Sequence, residues 1–181
     1  VTEESDAAIL QGVLAGDTQG YAKLVERYRD RLGRYALRML GNRADAEDAL
    51  QDTFVRGYRS LARCNRPEGF GPWIFGILVN RCRTHAARRA RRNDVIVSNE
   101  LAVADAAVPH SEERAAWRQA INWALERLPA EQREAFLLKH VEDLSYDEME
   151  QLTGARAAAL RMRVFRAREE LRRLLGETVR G

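Results

Sequence analysis

Arginine dominates the side chains of this chain that are equipped for recognition chemistry. Arg156, Arg161, Arg163, Arg166 and Arg168 follow one another with no acidic residue among them. Guanidinium forks fanned around one helix can place some members on phosphate oxygens and others on base edges. The alternative is a solvated face using Glu169 and Glu170 as intrahelical partners, and the absence of acids before Glu169 favours nucleic-acid contact. A second basic group, Arg81, Arg83, Arg88, Arg89, Arg91 and Arg92, crowds six arginines into twelve residues. Basic residues at a helix C-terminus complement the helix dipole, but six exceed what capping needs and imply a polyanion or an acidic partner.

Acidic and metal-binding chemistry is weaker. Asp45, Asp48 and Asp52 can share one helical face beside Glu47, the raw material of a divalent-metal site. Catalysis would need convergent groups from elsewhere, and His85, His110 and His140 occur singly. An acidic docking surface, or compensation of the positive helix end, suits the cluster better. Cys82 and His85 form a C-x-x-H pair with no second pair near it, and Cys64 and Cys82 cannot make a disulfide framework. Neither a metal, a cofactor nor an enzymatic activity is expected. Phe70, Trp73 and Phe75 lie where Gly and Pro punctuate the chain just before the second arginine group. Aromatic rings beside positive charge can hold unstacked bases; Trp73, with Ile74 and Ile77 at helical spacing, also reads as core.

The elements that must position these groups are helical. Ala, Leu, Arg and Glu are abundant against 4 Pro and 12 Gly, and the chain is 45% hydrophobic and 31% charged, which favours helix over strand. A net charge of +3 over 181 residues is modest; its placement carries the information. A first helix is expected after Ser5 with Ile9 and Val13. A second carries Tyr21, Leu24, Val25, Tyr28, Leu32, Tyr35, Ala36 and Met39 on one face until Gly41-Asn42. A third carries Ala46, Ala49, Leu50, Phe54, Tyr58 and Leu61. Residues 63 to 72 read as a loop, with Pro72 as the first residue of a helix burying Trp73, Ile74, Ile77, Leu78 and Cys82.

From Asn93 to Pro109 there is neither Lys nor Arg, which marks residues 93–110 as an interdomain linker between domains 1–92 and 111–181. Val95 to Val97 are apolar enough to dock on a neighbour. In the second domain Trp117, Ile121, Ala124, Leu125 and Leu128 define a helix, and Pro129 opens another with Phe136, Leu137 and Val141. Ser145-Tyr-Asp-Glu148 is a capping-box pattern. Thr153-Gly154 breaks the short helix that follows, ahead of a long basic one containing Leu160, Val164, Phe165 and Leu171. Short helix, glycine turn and basic helix make a helix-turn-helix. No run of 18 apolar residues and no signal peptide is present, so the chain is expected in the cytoplasm without membrane insertion.

Taken together these segments resemble the extracytoplasmic-function sigma factors over nearly the whole chain. The first domain carries LVERY ending at Tyr28, DAEDALQDTFVRGY from Asp45 to Tyr58 and WIFGILVNRCRTHAARR from Trp73 to Arg89. The second carries LPAEQREAFLLKHVEDLSYDEM from Leu128 to Met149 and RMRVFRAREEL from Arg161 to Leu171. The resemblance implies an all-α, two-domain transcription initiation factor that binds bacterial RNA polymerase core, recognises −35 and −10 promoter elements and promotes melting.

It implies that Asp45, Glu47, Asp48, Gln51, Asp52 and Phe54 dock on the β′ clamp coiled coil, with the second domain at the β flap. The loop around Arg63, Asn65, Arg66 and Phe70, with Trp73, would capture an extruded base of the −10 element. Asn80, Arg81, Arg83, Arg88 and Arg89 would lie near its duplex edge. The helix with Arg156, Arg161, Arg163, Arg166 and Arg168 would read the −35 element in the major groove. It also implies an anti-sigma partner that holds the chain inactive, near the membrane, until it joins the polymerase on the nucleoid.

The chain departs from the family pattern at several positions. Leu78-Val79-Asn80 replaces the usual alanine-arginine-asparagine run, and Thr84 stands where Asp is frequent. Glu150 replaces a small residue before the turn, and Arg156 replaces a helix-capping Ser. Ala159-Leu160-Arg161-Met162-Arg163 stands for a run that usually carries hydroxyls. These substitutions lend themselves to a rival reading, a sigma-like adaptor or decoy that binds a regulator without directing transcription. A helix-turn-helix regulator that never meets the polymerase would leave Asp45–Phe54 without a purpose.

Overall fold

The computed structural model describes residues 4–64, 69–92 and 112–178, and every regular element among them is helical. In order these are α1 (Asp6–Leu14), α2 (Gly20–Leu40), α3 (Arg43–Arg59), a single 3-10 turn (Leu61–Arg63), α4 (Phe70–Arg92), α5 (Glu112–Arg127), α6 (Ala130–His140), α7 (Tyr146–Thr153) and α8 (Ala157–Thr178). The chain divides into two compact units, residues 1–37 with 44–94 and residues 38–43 with 95–181. The expected linker at 93–110, with Val95 to Val97, lies outside the described residues.

In the first unit α1 begins where Ser5 Oγ accepts from the amide of Ala8 at 3.3 Å. The buried face of α2 is the expected one, with Tyr21, Leu24, Leu32, Tyr35 and Ala36 sealed. Three edge-on ring pairs join α2 to its neighbours: Tyr21 with Tyr58 at 5.1 Å, Tyr28 with Phe70 at 5.4 Å and Tyr35 with Phe75 at 4.9 Å. The Tyr21 hydroxyl donates to the carbonyl of Phe54 at 2.7 Å. Gly57 sits in mid-helix, normally a cost of about 1 kcal/mol, because α3 approaches α4 so closely there. A Cβ would lie 2.5 Å from Ile74 Cδ1 and 2.8 Å from the Tyr21 hydroxyl.

Helix α4 starts at Phe70, two residues before the expected start. Pro72 is therefore the third helical residue. Amides of the first turn have no intrahelical acceptor, so a proline there breaks no bond. Tyr58, expected on the apolar face of α3, is exposed.

In the second unit α8 packs against α5, α6 and α7. Its buried residues, Leu160, Val164, Ala167, Leu171 and Leu174, alternate spacings of four and three, so one narrow stripe faces the core. They meet a core that includes Ala124, Leu125, Leu128, Ala135, Leu137, Leu138 and Met149. Trp117 and Ile121, expected on the buried face of α5, are exposed, as is Val141. Periodicity identifies a face, but whether that face is covered depends on a neighbour.

Candidate nucleic-acid interface

The acidic end of α3 faces α4 across a shallow groove. Asp48, Gln51, Asp52, Val55 and Arg56 line one side, and Arg81, Thr84, His85 and Arg88 the other. Asp52 is the hub. Nε of Arg56 donates to its two carboxylate oxygens at 3.0 and 2.9 Å, and Arg81 reaches it at 3.5 Å. Burial presses the Asp52 carboxyl upward, but the two guanidiniums outweigh it and hold the group below its ordinary range. Glu47, Asp48 and Gln51 are exposed and Asp45 is half-buried. Phe54 is different: its ring is buried in the first unit, so it supports α3 from beneath and is not a docking side chain.

Of the residues expected to capture a base, Arg63 is exposed at the end of the 3-10 turn, while Asn65 and Arg66 lie outside the described residues. Phe70 corrects the sequence expectation. Its side chain is 0% exposed, against Tyr28 and 5.8 Å from Trp73. A ring enclosed in this way is core and offers no face to a base. Trp73 is half-buried. Tyr28 itself donates to Asp6, which is also paired with Arg27; burial, then the Asp6 carboxylate, push the phenol up to about 12.

Along α4, Asn80 and Arg88 are exposed, with Arg81, Arg83 and Arg89 half-buried. The Thr84 hydroxyl donates to the carbonyl of Asn80 at 2.9 Å. It is thus satisfied within its own helix, a common arrangement for mid-helix threonine. Cys82 is buried. Among the described residues no three His, Cys, Asp or Glu side chains converge as metal ligands, and no helix is long and apolar enough to cross a membrane.

The helix-turn-helix is built from α7, the turn at 154–156 and α8. Ser145 and Glu148 form the expected capping box, Ser145 Oγ accepting from the Glu148 amide at 3.2 Å and Glu148 Oε2 from the Ser145 amide at 2.7 Å. Gly154 ends α7 in the left-handed region at φ 71°, where glycine is favoured. Arg156 leaves the start of α8 without a capping hydroxyl. Glu150 supplies an acceptor for the first amide of the helix: its Oε2 accepts from the amide of Ala157 at 2.8 Å. The first amide of α8 is thus satisfied by a carboxylate of the preceding helix.

Arg156, just before α8, and Arg161, Arg163, Arg166 and Arg168 within it have separate fates. Arg163 is half-buried and pairs with Glu131 of α6 at 2.6 Å, so it is committed to the frame of the domain. Arg161 lies over the ring of Tyr146, 4.9 Å from its centroid. Arg156, Arg166 and Arg168 are exposed. Between them Met162 and Phe165 project into solvent, 51% and 60% exposed. Phe165 is among the apolar residues that mark this helix in the sequence. It follows Val164 by 100° around the helix and so cannot share the stripe through Leu160, Val164, Ala167 and Leu171; that offset was readable. The roles of Tyr146, Glu131 and Glu150 were not, since each depends on a contact between helices.

Residues 24–92 match the family Sigma-70 region 2, and residues 118–171 match Sigma-70, region 4. The chain is 35% identical over 162 residues to the RNA polymerase sigma factor CarQ of Myxococcus xanthus, covering 90% of this chain and 92% of that one. It is 31% identical over 180 residues to the ECF RNA polymerase sigma factor SigM of Mycobacterium tuberculosis, covering 96% and 86%. Among solved structures, the fold is similar to the sigma factor RpoE in complex with the anti-sigma factor NepR from Bartonella quintana, with TM-score 0.71 and 24% identity over 88% of this chain and 98% of that one. It is also similar to CnrH in complex with the cytosolic domain of CnrY, with TM-score 0.66 and 25% identity over 96% and 99%.

Proposed function

Because the chain belongs to the extracytoplasmic-function family of RNA polymerase sigma factors, we propose a division of labour among its surfaces in promoter recognition. It is a transcription initiation factor; RNA synthesis belongs to the polymerase. Asp45, Glu47, Asp48, Gln51 and Asp52 dock on the β′ clamp coiled coil, with Phe54 holding α3 in place. Arg63, Asn65, Arg66 and Trp73 serve the melted −10 strand, and Asn80, Arg81, Arg83, Arg88 and Arg89 the adjoining duplex. Arg156, Arg161, Arg166 and Arg168, with Met162 and Phe165, face the −35 major groove, and Arg163 supports them through Glu131. Capture of unpaired bases offsets the cost of opening the duplex, a few kcal/mol for each flipped base.

The observation that carries this reading is the outward face of α8. Cations and two large apolar side chains stand together there, a surface that can hydrogen-bond base edges and also meet thymine methyl groups. The adaptor reading drew on the departures at Thr84, Glu150 and Arg156. Two of them are accommodated internally, Thr84 by its own helix and Glu150 by capping α8, and the third adds a cation to the face. The chain acts in the cytoplasm, and on the nucleoid with polymerase. An anti-sigma factor, the partner class bound to RpoE in the similar structure, holds it off DNA and near the membrane.

The test is reconstitution with bacterial core polymerase and transcription from a genomic DNA pool. Promoter-dependent initiation is expected. Asp48→Ala with Asp52→Ala should weaken core association, and Arg161→Ala with Arg166→Ala should weaken duplex binding while core association persists. A folded chain that binds no core and starts no transcript would overturn the proposal.

A further inference from the structure

Tyr146 opens α7, and the Ser145–Glu148 capping box beside it fixes the backbone from which its ring projects. Two cations gather on that half-buried ring. Arg161 Cζ lies 4.9 Å from the centroid, and Lys139 Nζ, which donates to the carbonyl of Leu144 at 3.0 Å, lies 5.5 Å from it. Among the described residues no carboxylate lies within ion-pair distance of Arg161, whereas Arg163 two residues later is paired with Glu131. The difference matters for recognition. A carboxylate would hold a guanidinium still but occupy its N–H donors and cancel its charge. An aromatic face restrains it through the ring quadrupole while leaving the edge donors and the positive charge available.

We propose that Tyr146 is a positioning residue for promoter recognition, an aromatic pedestal that presents the Arg161 guanidinium, uncancelled, to the −35 duplex. Lys139 completes the pedestal: tied to Leu144 and resting on the same ring, it adds positive charge to the α6–α7 side of the surface, part of it met by the Glu148 carboxylate, which Ser145 and, more weakly, this lysine hold in the charged form. The inference rests on the reading of α8 as the duplex-reading helix and goes beyond it by naming a residue outside α8 that sets the geometry of one contact. Ordering a long side chain before binding removes part of the entropy that binding would otherwise cost. A cation–π contact at an accessible site corresponds to about a two- to five-fold change in affinity.

The experiment uses the full chain with core polymerase, and a duplex selected from random DNA by the unsubstituted holoenzyme. Affinities are compared for Tyr146→Phe, Tyr146→Leu, Arg161→Ala and the Leu/Ala double variant, with Tyr146→Met as a second ringless form should Leu perturb α7. Tyr146→Phe keeps the ring and should bind within about two-fold of the unsubstituted chain. Tyr146→Leu and Tyr146→Met should lose about two- to five-fold, with core association unchanged, and the loss should vanish once Arg161 is alanine. An equal loss in both backgrounds would make Tyr146 merely structural and overturn the proposal, as would no loss from either ringless variant. If Arg161→Ala itself binds as tightly as the unsubstituted chain, the assignment of Arg161 to the duplex fails first and the pedestal with it.

Discussion

Replacing Glu150 by alanine should loosen the first turn of α8 and little else. The carboxylate accepts the Ala157 amide at 2.8 Å from the preceding helix, while the Leu160 amide to Arg156 carbonyl bond, at 3.1 Å, does not involve it. Loss of an N-terminal cap costs about 1 kcal/mol, and loss of the negative charge at the positive helix end adds roughly 0.3–1 kcal/mol at an exposed site. Glu150→Gln keeps an acceptor and loses only the charge, so its cost should be the smaller, roughly 0.3–1 kcal/mol. The control is Arg156→Ser, which places a hydroxyl at the capping position. That hydroxyl would accept from the amide of Ala158 or Ala159, as Ser145 does from Glu148 three residues on, so it should add about 1 kcal/mol with or without Glu150 and leave the Ala157 amide as it was. Amide hydrogen exchange of the full chain, followed at Ala157 by NMR, reads this directly. A change of 1 kcal/mol is about a five-fold change in protection. Unchanged protection at Ala157 in Glu150→Ala, or its recovery on adding Arg156→Ser, would refute the assignment of that amide to Glu150.

Gly57→Ala gains about 1 kcal/mol in helix propensity but drives a methyl to 2.5 Å from Ile74 Cδ1, an overpacking that typically costs 1–3 kcal/mol, or roughly that range here. Net destabilisation of the first unit is expected, measured by urea unfolding through Trp73 fluorescence with Trp117 and Trp123 changed to Phe; a raised midpoint would contradict the close approach of α3 and α4. Phe70→Leu should lower stability by about 1 kcal/mol yet leave promoter melting intact at temperatures where the unit is folded. Loss of melting alone would reinstate the ring as a base-capturing group. Glu148 titrates below its ordinary 4.5 because the Ser145 hydroxyl and amide bind its charged form. A folded value below the unfolded one means that the stabilisation is complete above pH 4.5 and is lost as pH falls through the lower folded value. An NMR titration of the Ser145 and Glu148 amides should show this, and Ser145→Ala should return the midpoint toward the ordinary value.

Much of the architecture can be read from local signals because those signals act within one helix. The stripe of α2, the capping box of α7, the glycine stop at 154 and the basic helix beyond it all follow from spacings that a helix fixes by itself. The acidic patch on α3 and the arginines of α4 and α8 are similarly visible as types and positions. What those side chains do is less so. Phe70 looks like an exposed loop aromatic until Tyr28 and Trp73 enclose it. Arg161 and Arg163 look equivalent until one meets a tyrosine and the other a glutamate. Trp117 and Ile121 look like core, although their part of α5 has no cover among the described residues.

The sequence by itself therefore determined which segments are helical, where they stop, and which family of initiation factors they build. Tertiary structure alone decided which charges remain available for a partner and which are already answered. Helical periodicity is set by the backbone and repeats every few residues, whereas pairing of Glu150 with the Ala157 amide, Glu131 with Arg163, or Asp52 with Arg81 requires separate parts of the chain to converge within hydrogen-bonding or ion-pair distance. The energies that make these choices fall off within a few ångströms, so only the packed arrangement of helices can select them.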